Sequence, residues 1–180
     1  SGVVATGSQG CQAFALWLGI LPEKGRMKAA QIMHEAVKAA GYRFTTGNLT
    51  TRYLLDMLAD YGYIDDAWKI ITREEYPSFG YMIQNGATTI WERFEQKEND
   101  TMNSHNHPMY GAVGEWFYSR VAGVIPTSSG WSRFSVKPCI PKDLIFAEVG
   151  VDTVRGRVGV KWMKRYGKLH LNLYVPFGCI

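Results

Sequence analysis

Glu92 lies between two side chains that could help it do chemistry, in the stretch Gly-Ala-Thr-Thr-Ile-Trp-Glu-Arg-Phe from residue 86 to residue 94. Trp91 offers an indole directly before the carboxylate, and Arg93 offers a guanidinium directly after it. A carboxylate with apolar neighbours can take a proton from water as a general base. An isolated glutamate is more commonly a surface charge or a member of a structural ion pair. The residue types alone leave both interpretations of Glu92 open.

Side chains that suit sugar recognition surround this stretch. Sugars have flat C–H faces and many hydroxyls, so their sites combine aromatic rings with carboxylates, amides and guanidinium groups. The region from residue 79 to residue 116 contains this mixture, as Phe79, Tyr81, Trp91, Glu92, Arg93, Asn103, Asn106, His107 and Trp116. Core packing is the simpler interpretation for Phe79, Phe94 and Phe117. The region from 76 to 118 is where we expect function.

The run His105-Asn106-His107 could belong to a metal site or to a metal-dependent nuclease. Both need further ligands at suitable spacing, and no cysteine is near. A hydrogen bond from one of these histidines to a ligand or to loop backbone is therefore favoured. We expect no metal and no cofactor. The odd number of cysteines, three, predicts buried free thiols.

Composition and charge limit the class of protein. The chain has 180 residues, 46% of them hydrophobic and 20% charged, which predicts a globular fold with a substantial core. Its apolar runs are far shorter than the roughly 20 residues of a membrane helix, so we expect no membrane role. The net charge of +4 is small, and a solvated strand face explains the basic segment 155–168, so we expect no nucleic-acid partner. Free cysteines favour the cytoplasm, with secretion left open.

Helical spacing governs the first two-thirds of the chain. Apolar residues repeat at helical intervals from Glu23 to Ala40, after Pro22 and before the stop signal Gly41. The same spacing predicts a helix between residues 49 and 61. We expect a shorter helix with Asp65 as its N-cap, and a last helix from about Pro108 to Val121. Helices in tandem are the predicted theme.

Beyond Pro126 the apolar period changes to two, which predicts strands. The alternating positions are Phe134, Val136, Val149, Val151, Val158, Val160, Trp162, Leu169, Leu171, Leu173 and Val175. Turns are expected near Arg155-Gly156 and Tyr166-Gly167. We therefore predict two domains, a helical one over residues 1–125 and a strand-rich one over residues 126–180.

Three ordered segments carry a resemblance to a known family. They are Pro-Ser-Phe-Gly-Tyr-Met-Ile-Gln-Asn-Gly-Ala-Thr-Thr-Ile-Trp-Glu-Arg-Phe (77–94), Met-Asn-Ser-His-Asn-His (102–107) and Gly-Ala-Val-Gly-Glu-Trp-Phe-Tyr (111–118). Together they resemble the bacterial α-L-rhamnosidases of glycoside hydrolase family 78, and weaker similarity covers most of the chain. The resemblance implies an α+β multidomain fold: the C-terminal part of an (α/α)6 helical barrel followed by an antiparallel β-sandwich, cut at both ends.

The same resemblance implies inverting hydrolysis of terminal α-L-rhamnosides. Inversion needs an acid and a base whose carboxyl groups lie roughly 6.5 to 9.5 Å apart. Glu92 matches the general base of the family, and His107 matches a histidine that contacts the sugar. The acid of the family lies upstream of this chain. The further substrate-binding residues that we expect are Trp91, Arg93, Tyr81 and Asn103.

Some positions depart from the family pattern. Phe79 and Phe94 stand where the family often has Trp, and His105 stands where Phe is usual. Thr50 and Arg52 replace a Gly and a Pro, and the stretch after residue 93 is short. The lost indole N–H groups bear on the preference for the group attached to rhamnose.

Two alternatives to the enzyme remain open. One is a non-catalytic carbohydrate-binding or scaffold fragment, because only Glu95 and Glu115 are near enough in sequence to replace the absent acid. The other is a different hydrolase or lyase on the same helical barrel. In all cases we expect the isolated chain to be inactive, and to self-associate through apolar faces that further helices would cover.

Overall fold

The computed structural model of the chain describes residues 2–97 and 103–180, and Met102 of the second quoted segment lies outside them. The described chain forms two compact units, of which the first ends at Val113 and the second begins at Gly114. The expected domain boundary between residues 125 and 126 stays a prediction.

The first unit is helical. Its helices are α1 (Gln9–Trp17), α2 (Glu23–Ala39), α3 (Asn48–Asp60), α4 (Ile64–Ile71), α5 (Phe79–Gln84) and a 3-10 turn (Met109–Ala112). Helix α1 packs against α2 and α3, and α3 packs against α4. The Ser8 side chain caps α1 by accepting a hydrogen bond from the Cys11 N–H. The helices predicted from residue 23 and from residue 49 are confirmed by α2 and α3.

The buried stripe of α2 follows the predicted spacing, with Ala29, Met33 and Val37 fully buried. The prediction for α4 is wrong in one respect. Asp65 is not its N-cap, because the helix begins at Ile64 and places Asp65 in the first turn. A carboxylate in that turn still interacts favourably with the helix dipole.

A buried glutamine fixes the segment that leads into α3. Gln9 on α1 is 1% exposed, and its Nε2 donates to the Arg43 carbonyl at 3.0 Å while its Oε1 accepts from the Thr45 N–H at 3.1 Å. Buried polar groups need such partners. Gln9 therefore sets the position of the backbone around Phe44 and Thr46, which borders the cavity described below.

Short helical turns, of which the first begins at Val113, the last residue of the first unit, lead into the strands of the second unit. These are α6 (Val113–Trp116), a π turn (Phe117–Val121), β1 (Val124–Pro126), a 3-10 turn (Ser129–Trp131), β2 (Phe134–Val136), β3 (Phe146–Thr153), β4 (Gly156–Arg165) and β5 (Lys168–Tyr174). β1 pairs with β2, and β4 lies between β3 and β5, all antiparallel. The predicted turns at Arg155-Gly156 and Tyr166-Gly167 join β3 to β4 and β4 to β5.

The two sheets share one core. Val158 and Val160 of β4 are buried with Val124 of β1, and residues of β2, β3 and the 3-10 turn pack around them. Trp162 is completely buried, and its indole N–H donates to the Val121 carbonyl at 2.8 Å. In the described residues the chain thus has six α-helices followed by two antiparallel sheets, which confirms the predicted α+β class.

Phe117 corrects one expectation about the core. Its side chain is 36% exposed, whereas Trp116 beside it is 1% exposed. The predicted final helix is helical at these positions, but a π turn begins at Phe117. A π turn adds residues per turn and so shifts the apolar period. The assignment of Phe117 to the core is therefore wrong.

In the described part of the chain, no helix is both long and apolar enough to span a bilayer.

Candidate active site

Two segments that run in opposite directions hold Glu92 in place. The Glu92 N–H donates to the Ser104 carbonyl at 2.8 Å, and the His107 N–H donates to the Ile90 carbonyl at 2.8 Å. The Thr89 hydroxyl adds a bond to the His105 carbonyl. These bonds pair residues 89–92 with residues 104–107. The first two quoted segments, 77–94 and 102–107, therefore meet in space.

The side chain of Glu92 is fixed as well as its backbone. Its Oε2 accepts the Ser104 N–H at 2.9 Å, and the residue is half-buried. It borders a cavity of about 340 Å³. Small-molecule sites generally span about 300–1,000 Å³, so a monosaccharide-sized ligand suits this volume. The carboxylate is thus neither free in bulk solvent nor locked in packing away from a cavity.

The cavity lies within the first unit. Its lining residues are Phe44, Thr46, Gly47, Asn48, Tyr76, Pro77, Glu92, Arg93, Phe94, Glu95 and Tyr110. They come from four separate parts of the chain: the segment that leads into α3, the segment before α5, the stretch around Glu92, and the 3-10 turn. The lining combines aromatic rings with carboxylate, guanidinium, amide and hydroxyl groups, the set that sugar recognition requires.

Stacked aromatic rings form one wall of the cavity. Phe44 stacks on Phe94 with ring centroids 5.3 Å apart, and Phe94 meets Tyr110 at 4.6 Å. Phe79 lies perpendicular to Phe94 at 5.4 Å. Phe79 and Phe94 both pack in the core as expected, and Phe94 also borders the cavity. Burial raises the pKa of Tyr110 to about 12, so its hydroxyl stays protonated near neutral pH.

A second carboxylate, Glu95, shares the cavity with Glu92. Its Oε2 pairs with Arg93 Nη2 at 2.7 Å and with Lys97 Nζ at 3.7 Å. The Tyr76 hydroxyl donates to Glu95 Oε1 at 3.3 Å. Desolvation first and the charge of Glu95 second raise the pKa of Tyr76, so this hydroxyl also remains a donor.

The structure brings two of the six predicted site residues to the cavity wall, Glu92 and Arg93. Trp91 is 3% exposed and stacks on His105 at 4.8 Å, so its ring braces the paired segments. Tyr81 packs edge-on against the cavity residue Tyr76 at 5.3 Å. Each of these two thus supports a wall.

The other two predicted residues shape the loop beside the cavity. Asn103 is nearly buried, and its Nδ2 donates to the carbonyls of Glu95 and Lys97 at 3.2 and 3.3 Å. His107 Nδ1 accepts the Met109 N–H at 3.4 Å. Neither borders the cavity, nor does Trp91 or Tyr81. Substrate contact by these four residues stays a prediction.

Sequence reasoning missed several cavity residues. Tyr76 and Glu95 lie close to the motif in sequence, but the sequence suggests for Glu95 only the role of a substitute acid. Asn48 lies more than forty positions before Glu92, and no local pattern connects the two.

Within residues 2–97 and 103–180 no group of three or more His, Cys, Asp or Glu side chains could hold a metal ion. The three cysteines are free and partly buried.

Models of two protein domains match this sequence almost end to end. The bacterial alpha-L-rhamnosidase 6 hairpin glycosidase domain matches residues 1–121, and the bacterial alpha-L-rhamnosidase C-terminal domain matches residues 123–179. The chain belongs to the bacterial α-L-rhamnosidase family. The order of the two matches confirms the predicted helical hairpin domain followed by an antiparallel sheet domain.

Individual α-L-rhamnosidases resemble the chain over nearly its whole length. One from Formosa agariphila is 35% identical over 95% of this chain and 19% of its own length. A structure from Dictyoglumus thermophilum superposes with a TM-score of 0.90 at 38% identity, over 96% of this chain and 20% of that one. A Streptomyces avermitilis α-L-rhamnosidase complexed with L-rhamnose gives a TM-score of 0.90 at 31% identity, over 98% and 18%. The chain therefore spans between 18% and 20% of the length of these relatives.

Proposed function

We propose that the chain is the part of an inverting α-L-rhamnosidase that carries the general base, and that Glu92 is this base. The observation that carries the proposal is the carboxylate of Glu92 at the wall of a sugar-sized cavity, fixed by the Ser104 N–H. Membership of the α-L-rhamnosidase family supports a glycoside hydrolase, with terminal α-L-rhamnosides as substrates.

The proposed reaction uses two carboxyl groups on opposite faces of the sugar. Oε2 of Glu92 is bonded to Ser104, so we assign proton abstraction from the attacking water to Oε1. The water oxygen forms a bond to the anomeric carbon while the glycosidic C–O bond breaks. The general acid gives its proton to the leaving oxygen, and the new hydroxyl lies on the face opposite to the old bond.

The general acid in this proposal lies outside the chain. Glu95 borders the same cavity, but its two oxygens engage the Arg93 guanidinium and the Tyr76 hydroxyl. Both oxygens of Glu95 thus already have partners within the chain. Glu115 belongs to the second unit. An acid from another part of a longer protein fits with the small share of the relatives that the chain spans.

The isolated chain is accordingly expected to be inactive. Exposed apolar side chains on the first unit support the expectation that it also self-associates. They include Trp17, Leu18, Ile20 and Leu49, each between 46% and 66% exposed. Sedimentation of the purified chain at high concentration tests this, and a monomer throughout would contradict it. A cytoplasmic location stays a prediction.

The decisive test replaces Glu92 by Gln in the full-length protein. Turnover of an aryl α-L-rhamnoside should fall about a hundredfold or more, because the amide cannot take the proton from water. Glu74→Gln is the matched control, since Glu74 is an exposed glutamate that bonds Gln84 and lies outside the cavity. Proton NMR of the first product should show the β-anomer of rhamnose. An unchanged rate in Glu92→Gln would exclude the base.

A further inference from the structure

We propose that Glu95 is a positioning residue for substrate recognition: it holds the Arg93 guanidinium at the cavity wall beside Glu92, where Arg93 binds sugar hydroxyls. Tyr76 in turn holds Glu95. The inference rests on the proposed function, because it assigns these residues to binding of the same rhamnoside. It gives roles to Glu95 and Tyr76, for which the motif around Glu92 offers none.

The geometry supports a fixed guanidinium. Arg93 Nη2 lies 2.7 Å from Glu95 Oε2, which makes a close ion pair. A guanidinium carries five N–H donors in a rigid plane, so an ion pair through one nitrogen leaves donors for neighbouring hydroxyls of a sugar. Glu92, Arg93 and Glu95 all border the same cavity. Because the plane is rigid, holding one of its nitrogens beside Glu95 limits the positions that the remaining donors can take.

The other carboxylate oxygen of Glu95, Oε1, accepts a hydrogen bond from Tyr76. Tyr76 donates its hydroxyl to Oε1 at 3.3 Å, and its ring borders the cavity while 44% exposed. Tyr81 packs edge-on against this ring. The network therefore runs from Tyr76 through Glu95 to Arg93 along one wall, and it restricts a side chain that otherwise has many rotamers.

The charge of the cavity also favours this role. Two carboxylates in one cavity repel each other, and the Arg93 cation offsets the charge of Glu95. Glu92 then remains as the carboxylate whose bonding partner is a neutral backbone amide. Such a site suits an uncharged, polyhydroxylated ligand more than an anion.

A purely structural role for the ion pair predicts a different outcome. The side chains of Arg93 and Glu95 are 43% and 32% exposed, and exposed ion pairs contribute little to folding stability. Losing the pair should therefore leave the melting temperature nearly unchanged while it alters substrate binding. This separation between stability and KM is the readout that distinguishes positioning from packing.

The test is a double-mutant cycle in the full-length protein, with an aryl α-L-rhamnoside as substrate. Glu95→Gln should raise KM about tenfold and leave kcat within about threefold, because a charge-assisted contact in the binding site is lost. Arg93→Ala should raise KM by a similar factor. In the Arg93→Ala background, Glu95→Gln should raise KM almost no further, since Glu95 acts through Arg93.

Two further variants complete the experiment. Tyr76→Phe removes only a hydroxyl from an exposed ring, and it should raise KM about twofold to threefold without unfolding the protein. Glu75→Gln removes a matched ion pair, Arg73 to Glu75 at 3.3 Å, which lies outside the cavity, and it should leave KM unchanged.

Unchanged KM in Glu95→Gln, or additive effects of the two substitutions, would overturn the inference. A fall in melting temperature without a change in KM would overturn it too, because it would assign Glu95 to folding. The proposed function fails separately, if the wild-type protein does not hydrolyse the rhamnoside or if Glu92→Gln keeps its rate. An active wild type, an inactive Glu92→Gln and a normal Glu95→Gln would reject the positioning role alone.

Discussion

Glu92 and Ser104 exchange two hydrogen bonds: the Glu92 N–H donates to the Ser104 carbonyl at 2.8 Å, and the Ser104 N–H donates to Glu92 Oε2 at 2.9 Å. The first bond fixes the backbone, and the second fixes the carboxylate. A base that is held in place before the substrate binds loses less entropy in the transition state. These two bonds fix the position of the Glu92 side chain. Its neighbours in sequence alone do not determine that position.

Removing the Ser104 N–H should therefore slow the reaction. Ser104→Pro deletes the donor, and we expect kcat to fall about tenfold because the Glu92 carboxylate loses its fixed orientation. Ser104→Ala keeps the N–H and removes only the hydroxyl, so its kcat should stay close to that of the wild type. Steady-state kinetics of both variants in the full-length protein check this. Equal rates for Pro and Ala would show that the bond does not orient the base.

Gln9 should contribute to stability although it lies far from the motif in sequence. Gln9→Ala removes three side-chain bonds, with the Ala36 carbonyl, the Arg43 carbonyl and the Thr45 N–H, so the free energy of unfolding should fall by about 2 kcal/mol. Gln31→Ala is the control, since Gln31 is exposed on α2 and should change stability by less than about 0.5 kcal/mol. Urea unfolding of the chain, at concentrations where sedimentation shows a monomer, measures both. Similar values for the two variants would contradict the role of Gln9.

Trp162 should anchor the strand-rich unit. Trp162→Phe keeps an aromatic ring but leaves the buried Val121 carbonyl without its donor, so we expect a loss of about 1–3 kcal/mol. Trp17→Phe is the comparison, because Trp17 is 46% exposed and should cost less. Thermal unfolding followed by circular dichroism checks the order. A larger effect at Trp17 would show that the hydrogen bond is unimportant.

Deprotonation of Tyr110 should lower the stability of the fold in alkali. Its folded-state pKa of about 12 lies above the ordinary value of 10. The unfolded chain thus releases this proton more readily. The contribution of the protonated Tyr110 to the free energy of unfolding is present below pH 10 and is lost as the pH rises towards 12. Tyr110→Phe has no such proton, so its free energy of unfolding should fall less steeply over that range. Parallel alkaline slopes for wild type and variant would contradict the assignment.

Local patterns were enough to predict the helices and strands that carry strong periodicity. Helix α2 was predictable because its apolar residues share one stripe between Pro22 and Gly41. The π turn was not, since the apolar spacing before Phe117 fits an ordinary helix. Asp65 has the side chain of an N-cap, but α4 begins one residue earlier, at Ile64.

The candidate site divides along the same line. Glu92 and Arg93 were found because the motif that contains them is continuous in sequence. The other lining residues include Phe44, Asn48 and Tyr76, and they reach the cavity only through tertiary contacts such as the Gln9 bonds. Sequence spacing contains no information on such contacts. For the same reason the buried, bracing position of Trp91 could not be distinguished from sugar contact.

The most direct test of Glu92 as the base uses azide with the Glu92→Ala variant of the full-length protein. Azide needs no deprotonation and is small enough to enter the space left by the carboxylate, so it should restore turnover of an activated aryl α-L-rhamnoside. Since it replaces the water, which attacks from the face opposite to the leaving group, the product should be β-L-rhamnosyl azide. Formation of the α-azide, or no rescue by azide in a folded variant, would contradict the account.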